Sequence, residues 1–535
     1  MAAAALACLW LAALQWGGVR QKFLYPWLPF LGWVALSVLA SPQPLTGLTV
    51  LSRWASIAVF FALTASLWGE SQRRWWFWGL GGCSLILAVG SFFIHDLAGS
   101  PFGLLPPYYN YTAFVEAAFF SAALTAWLDR KGPRGAARWA CGALAFVALA
   151  QIFYCFSRGA LVAAACGAGF VAFRDLSRRK LLSFLAVSVL VGGLAFMTLA
   201  KWRAVHAFKR PQIWTAAWSI AGEHPVFGAG PGQFANAFLQ HNFPAGYGEV
   251  NYRFRAEHAH SELWETAAES GWPAALLLVF ALWSLARRRG GGEPDWTRQA
   301  AKAACLAMSV QCLLDNMFQL PALGLLYASS LAVWRGEEGG EEAGGSSWRA
   351  FALAGLALAA FSWVPGRLLE DWQARPADPA LRLELARRCV VLAPADPYLR
   401  ERFAREWLEQ KPPRVEEWLF QLERAEALSP QNAILPVLRA EVLRGHDAWP
   451  QVLTLAQRAL ALEPNFIQAR LLLAEALARL GRGEEGRTEL AQACRTHQRL
   501  GGNSEEGYAG QIFSFDGQRY EDVAKLSGGV RPSCF

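Results

Sequence analysis

The chain has 535 residues, more than one ordinary domain. It is 54% hydrophobic and only 17% charged, averages that hide an apolar region, 1–366, and a soluble region rich in Arg and Glu, 367–535. The net charge of +8 does not mark a nucleic-acid binder, because much of the basic excess lies in short loops between apolar runs.

Apolar runs of about 18 residues or more are the lengths that cross a bilayer. They fall near 2–17, 25–41, 49–68, 75–95, 112–129, 135–156, 158–174, 181–200, 263–286, 299–317, 319–335 and 349–366. About a dozen spans in an all-α polytopic bundle are therefore expected. The basic loops are Arg73 and Arg74; Arg130, Lys131 and Arg134; Arg174, Arg178, Arg179 and Lys180; and Arg287, Arg288 and Arg289. Placing them in the cytoplasm puts the N-terminus, the turn at Ser157, the loop 201–262 and the C-terminal domain outside. Met1–Trp16 has the alternative of a signal peptide, although it lacks a charged n-region and a clear cleavage site. The 25 tryptophans fit a membrane interface and bundle. The ten cysteines show no CxxC spacing. Cys83, Cys141, Cys155 and Cys166 read as small hydrophobes in apolar runs, whereas pairing among Cys389, Cys494 and Cys534 cannot be deduced.

The long loop holds five of the eight histidines: His206, His224, His241, His258 and His260. It opens with Lys201, Arg203, Lys209 and Arg210. Pro211 suits the first turn of a helix, Trp214, Trp218 and Ala221 share a face, and Gly222 precedes His224-Pro225. That pattern predicts a short amphipathic helix on the membrane surface. "FGAGPGQF", with Gly228, Gly230 and Gly232, reads as a turn. No strand precedes it, as a dinucleotide loop requires.

In the soluble region a phrase recurs: Leu392-Ala-Pro394-Ala-Asp396, Leu428-Ser-Pro430-Gln-Asn432 and Leu462-Glu-Pro464-Asn465. Its prolines are 36 and 34 residues apart. The last unit resembles a tetratricopeptide repeat, whose period is near 34. Residues 367–500 are thus expected to form stacked helical repeats with a concave surface for a protein partner, followed by a polar tail, 501–535. The alternative is an unrelated helical bundle.

No P-loop, zinc site or Ser-His-Asp order is present. Three elements carry chemistry. The first is "SRGA" (Ser157–Ala160), whose arginine lies on the outer face, against the charge rule; otherwise it reads as a snorkelling anchor. The second is the stretch Lys209–Phe234, with Arg210 just ahead of the surface helix. The third is Glu257–Trp272, where His258 and His260 precede a span. Alone, that pair reads as structural or as a weak metal pair, and no acidic or Cys partners support a metal site.

These elements, in this order and on this face, resemble the O-antigen ligase/polymerase (Wzy-C) superfamily of membrane glycosyltransferases. The shared pattern is SRGA, then Arg-x-x-x-Trp, His-Pro-x-x-Gly-x-Gly-x-x-x-Phe and His-x-His with L-x-x-x-x-A-E-x-G. "PPYYNYTAF", containing Asn110, is similar to an upstream family motif. The likeness covers residues 100–335 and implies a GT-C-like transferase domain over 1–366. It implies transfer of a glycan from an undecaprenyl-diphosphate carrier to an acceptor, with no metal, cofactor or nucleotide sugar, at the bacterial cytoplasmic (inner) membrane. The leaving diphosphate needs cations, and arginine offers a planar fork that stays charged. The acceptor hydroxyl needs a base, and histidine is poised near neutral pH. The resemblance therefore implies Arg158 and Arg210 at the diphosphate, His260 as base and His258 in support, with inversion at the anomeric centre. Ser261 stands where the family commonly has Asn, which leaves the choice within the pair open. About eight spans precede the loop where relatives commonly have one more, so a missing first helix or a late start is expected.

Supporting residues are expected at Asn110, Glu116, Glu262 and Asp315. Glu116 lies in an apolar run, either lining the carrier groove or pairing within the bundle. Asp315 and Asn316 sit near an outer helix end. Glu262, Glu265 and Glu269 share one helix face; an interfacial polar stripe is the reading preferred for the last two. Three acceptors compete: lipid A core, another lipid-linked glycan, or protein Ser/Thr, as in a protein O-oligosaccharyltransferase. A transporter or non-catalytic scaffold remains the alternative of a different class, and the bilayer is a partner in all of them.

Overall fold

The computed structural model describes residues 21–93, 109–155, 157–175, 209–245, 252–287, 295–335, 372, 374–410, 414–500, 508–528 and 534. The expected spans 2–17, 181–200 and 349–366 lie outside the described residues. The other nine each coincide with a helix. These are α1 (Leu28–Ala40), α2 (Pro44–Leu67), α3 (Glu70–Phe93), α4 (Tyr109–Leu128), α5 (Ala136–Tyr154) and α6 (Arg158–Asp175). The loop contributes α7 (Arg210–Glu223), α8 (Phe234–His241) and a two-stranded antiparallel pair, β1 (Pro244–Ala245) and β2 (Tyr252–Arg253). The last three of the nine are α9 (Glu262–Ala286), α10 (Trp296–Leu314) and α11 (Pro321–Arg335).

Among the described residues, four stretches are long and apolar enough to cross a membrane: Thr46–Ser66, Tyr109–Leu128, Ala136–Tyr154 and Glu262–Ala286. Leu28–Ala40 and Arg158–Val171 are apolar but shorter. α3 and α10 carry charges in their first two turns (Glu70, Arg73 and Arg74; Arg298 and Lys302), and α11 is only 15 residues long. α4 is the centre of the bundle, packed against α3, α5, α6 and α10. Its buried Ala113, Ala117, Ala118, Ala122, Ala123 and Ala126 let neighbouring backbones come close, which is how membrane helices gain contact when lipid is as apolar as their side chains. Large apolar side chains such as Ile86, Phe146 and Leu276 face outwards at 66%, 73% and 67% exposure. Such a surface is costly in water and costs nothing in lipid. The chain is a helical membrane protein.

Unit 1 of the chain comprises residues 1–41, 47–234 and 258–363. Within it, one end of the bundle is basic. Arg73 lies 3.5 Å from Asp295, the N-cap of α10, and Arg335 donates to the Arg287 carbonyl at 2.9 Å. The interface-preferring Trp75 and Trp283 sit at helix ends that carry these basic residues, with Arg287 4.8 Å over the Trp283 ring. α10, 19 residues long, runs from this end for roughly 28 Å to the opposite one.

Unit 2 comprises residues 42–46, 235–257 and 364–535. α12 (Pro379–Leu392) is followed by three helical hairpins. They are α13 (Pro397–Leu408) with α14 (Val415–Leu428), α15 (Ile434–Arg444) with α16 (Trp449–Leu462), and α17 (Ile467–Arg479) with α18 (Gly483–Leu500). The recurring Leu-x-Pro phrases are the turns after α12, α14 and α16. A proline in the first turn and an Asp cap start α12 and α13: Asp378 accepts from the Ala380 N–H, and Asp396 from those of Tyr398 and Leu399. Ala440, Ala456, Ala459, Ala469, Leu472 and Ala476 fill the core between hairpins. The region expected as a polar tail holds two more helices, α19 (Tyr508–Phe513) and α20 (Gly517–Leu526), which pack on α17 and α18. Cys494 and Cys534 form a disulfide.

Candidate functional site

α9 is broken at Gly271, whose φ of 83° and ψ of 168° are non-helical, with Pro273 just beyond. The break strips carbonyls of their donors: Trp272 N–H turns to the Pro225 carbonyl at 3.0 Å, and Pro273 has no N–H to give. The glycine-rich turn takes their place. Ala229 N–H donates to the Ala268 carbonyl at 2.9 Å and Gly230 N–H to that of Glu269 at 3.0 Å. Backbone meets backbone so closely that a Cβ on Gly228 would lie 2.1 Å from the Glu269 carbonyl carbon. One on Gly271 would lie 2.1 Å from the Val226 oxygen. Glycine is therefore required at both positions. Ser37 and Trp33 of α1 complete the clamp through the Phe227 and Val226 carbonyls, at 2.6 and 3.2 Å.

This docking sets α7 on the first half of α9. Ala221 packs with Ala267 and Ala275, and the rings of Trp218, Trp264 and Trp272 meet edge to face at 4.8–5.9 Å. Each such ring pair contributes about 0.5–1.5 kcal/mol beyond burial. The helix predicted after Arg210 is thus present, with Trp214 donating to the His260 carbonyl at 3.3 Å.

Arg210 is carried by this arrangement to the far end of α10. Its Nη1 donates to the Leu314 carbonyl at 2.6 Å and its Nη2 to Asp315 Oδ2 at 2.7 Å. Asn110, at the start of α4, donates to the same oxygen at 2.7 Å. Oδ1 of Asp315 receives His260 Nδ1 at 2.9 Å and the Asn316 N–H at 3.0 Å. A carboxylate has about four acceptor sites, and this buried one uses them all. His260 sits in the left-handed region at φ 50°, a conformation costing a non-glycine residue about 1–3 kcal/mol and often found where function fixes the backbone. Asp315, 55 residues from His260 and 105 from Arg210, is the hub that joins them.

A second hub lies beside it. Glu265 accepts from His258 Nδ1 at 3.2 Å, from the Ala259 N–H at 2.8 Å and from Gln319 at 2.7 Å. Gln319 in turn accepts from Arg53 of α2. Burial pushes the His258 imidazole towards its neutral form. The hydrogen bond and charge of Glu265, with the charge of Glu269, outweigh that effect and the opposing Arg53, so its pKa lies above the ordinary histidine value. Glu262 accepts from the Phe318 N–H at 2.6 Å, and Ser261 N–H donates to Asn316 Oδ1 at 2.9 Å. Both bonds tie the histidine segment to the α10–α11 connection. Glu265 and Glu269 are therefore buried partners rather than an interfacial stripe; Glu269 accepts from the Phe234 N–H at the start of α8.

Arg158 is the first residue of α6, capped by Ser157, whose Oγ accepts from the Ala160 N–H at 3.3 Å. The next residue, Gly159, faces this site: a Cβ there would lie 3.7 Å from Leu314 Cβ and 3.8 Å from Arg210 Nη1. Asn110, Arg210, His260 and Asp315 thus converge, with the N-terminus of α6 alongside. Glu116 is elsewhere, buried in the bundle and accepting from Ser84. Sequence reasoning did not single out Arg53, Gln319 or the joining role of Glu265. A basic residue inside the expected span 49–68 was the available signal for Arg53.

No curated protein matches the sequence. Among solved structures, the crystal structure of MamA protein is similar at 14% identity and a TM-score of 0.24, over 30% of this chain and 87% of that one. Residues 143–279, which hold Arg158, Arg210 and both histidines, match the family model Wzy_C, O-antigen ligase.

Proposed function

We propose that the protein transfers a glycan from an undecaprenyl-diphosphate carrier to an acceptor at the outer face of the bacterial cytoplasmic membrane. The observation that carries this reading is the convergence of Arg210 and His260 on Asp315, beside the N-terminus of α6. With Nδ1–H donated to Asp315, the His260 ring leaves Nε2 as the atom that takes the acceptor hydroxyl's proton. The freed oxygen attacks the anomeric carbon from the face opposite the carrier, and the bond from that carbon to the diphosphate oxygen breaks. The electron pair leaves on the diphosphate. Arg158, Arg210 and the α6 N-terminus neutralise it; Arg210 spends two of its five N–H donors on the protein. His258, held by Glu265, supports the loop.

The site lies at the end of the bundle opposite Arg73, Arg287 and Arg335, and the positive-inside rule makes that the outer end. A disulfide between Cys494 and Cys534 fits an oxidising compartment for the repeats, which in this reading are of the tetratricopeptide type and recruit acceptor or polymer-assembly machinery. Residues 1–366 are then the transferase domain and 367–500 the repeats.

The test is transfer from a lipid-linked donor by purified protein. Arg158→Ala, Arg210→Ala and His260→Ala are each expected to abolish it with the protein still in the membrane; full activity in all three sinks the reading. The acceptor follows from glycans of a deletion strain. Short chains indicate a polymerase, accumulated lipid-linked polymer a ligase to lipid A core, and bare glycoproteins a protein O-oligosaccharyltransferase.

A further inference from the structure

We infer that the helical repeats grip the strand leading into the histidine pair, through Arg253 and Arg255 at two successive inter-repeat turns, and so position His258 and His260. Residues 235–257 fold in one unit with the repeats. They form a small module of their own. Phe238, fully buried, meets Phe243 and Phe254, whose rings stack at 5.4 Å, and Arg253 donates to Asn242 at 2.9 Å across the β1–β2 pair.

The module is held at the turn after α16. Glu463, 1% exposed, accepts the Arg253 N–H with both carboxylate oxygens at 2.9 and 3.1 Å. Arg253 Nε donates to the Leu462 carbonyl at 3.1 Å, an acceptor that a helix C-terminus leaves without an intrahelical partner. A buried carboxylate needs such donors, and a guanidinium is favoured at a helix C-terminus. One repeat earlier, Asn432 in the turn after α14 accepts from Arg255. Arg253 ends β2 and Arg255 lies two residues beyond it, and the two arginines reach successive turns of the row.

His258 follows Arg255 by three residues, at most about 10 Å of chain. Beyond it, the Ala259 N–H is fixed to Glu265 and the Ser261 N–H to Asn316. Downstream, then, the histidine segment is pinned by α9 and the α10–α11 connection, and the residues just upstream of it belong to the unit of the repeats. Arg253, Arg255, Asn432 and Glu463 are positioning residues. Their effect on catalysis rests on the proposed transferase reading, but the grip itself does not.

Hydrogen–deuterium exchange of the full chain in lipid nanodiscs tests it, comparing wild type, a Glu463→Ala/Asn432→Ala double variant and Arg255→Ala. Amides of 252–257 are expected to exchange about ten-fold faster in both variants, with α15–α18 unchanged. Glu463→Gln, which keeps an acceptor oxygen, restores most of the protection. In the transfer assay kcat falls about ten-fold while the KM for donor stays within about two-fold. If the double variant loosens α15–α18 as well, Arg255→Ala, made outside the repeats, decides. Unchanged exchange at 252–257 in Arg255→Ala overturns the grip, and faster exchange with unchanged kcat overturns the positioning. Absence of transfer by the wild type sinks the transferase reading and leaves the exchange result standing.

Discussion

Two buried carboxylates hold the two histidines, and they hold them differently. Asp315 binds His260 together with a guanidinium and an amide from three other segments of the chain. Glu265 binds His258 together with a neighbouring backbone N–H and the Gln319 amide. Exposure does not separate the rings, at 35% and 34% for the side chains. What separates them is the company. His260 shares its carboxylate with a cation suited to phosphate and is strained at φ 50°. The pKa of His258 is raised by the hydrogen bond and charge of Glu265. In the proposed transferase reading, the guanidinium beside Asp315 is what favours His260 as the base.

The comparison is broken most directly at Asp315. Asp315→Asn is expected to lower kcat by roughly 10²–10⁴-fold, the range of general-base catalysis, by ending control of the His260 tautomer. Glu265→Gln is expected to cost less than about ten-fold; equal losses from the two would void the distinction. Arg210→Lys should recover only part of the transfer that Arg210→Ala abolishes, since an ammonium is a point charge without a fork.

A pH measurement sharpens the other hub. The folded pKa of His258 is raised, so its contribution to stability is complete below the ordinary histidine value of 6.5 and is lost as pH rises through the raised value. Melting of the solubilised protein should therefore fall across that window in wild type, and the slope should flatten in Glu265→Gln. A slope that persists there places the titrating group elsewhere. The smallest effect belongs to Trp214→Phe, which removes one bond to the His260 carbonyl worth about 1 kcal/mol and so at most about five-fold in rate.

Much of this molecule is legible in its sequence. Apolar runs specify helices because hydropathy is summed locally along each span. The helices described over nine expected spans follow from that. The recurring Leu-x-Pro phrases mark the repeat turns for the same local reason, and a proline after Arg210 starts α7. The SRGA and His-x-His elements were recognisable as short strings. Glu265 and Glu269 were not, because three-residue and four-residue spacing names a helix face without naming what covers it. Here the covering partners are His258, Gln319 and the N-terminus of α8.

Local composition is enough to specify a helical membrane protein, its run of helices and the residue types near the site. Which of those residues meet depends on long-range packing. Asp315 meets Arg210 and His260 because the break at Gly271 receives the glycine-rich turn and so docks α7 on α9, and because α10 ends where α4 and α6 begin. An ionic contact depends on where helix ends meet, and no periodicity along the chain encodes that meeting.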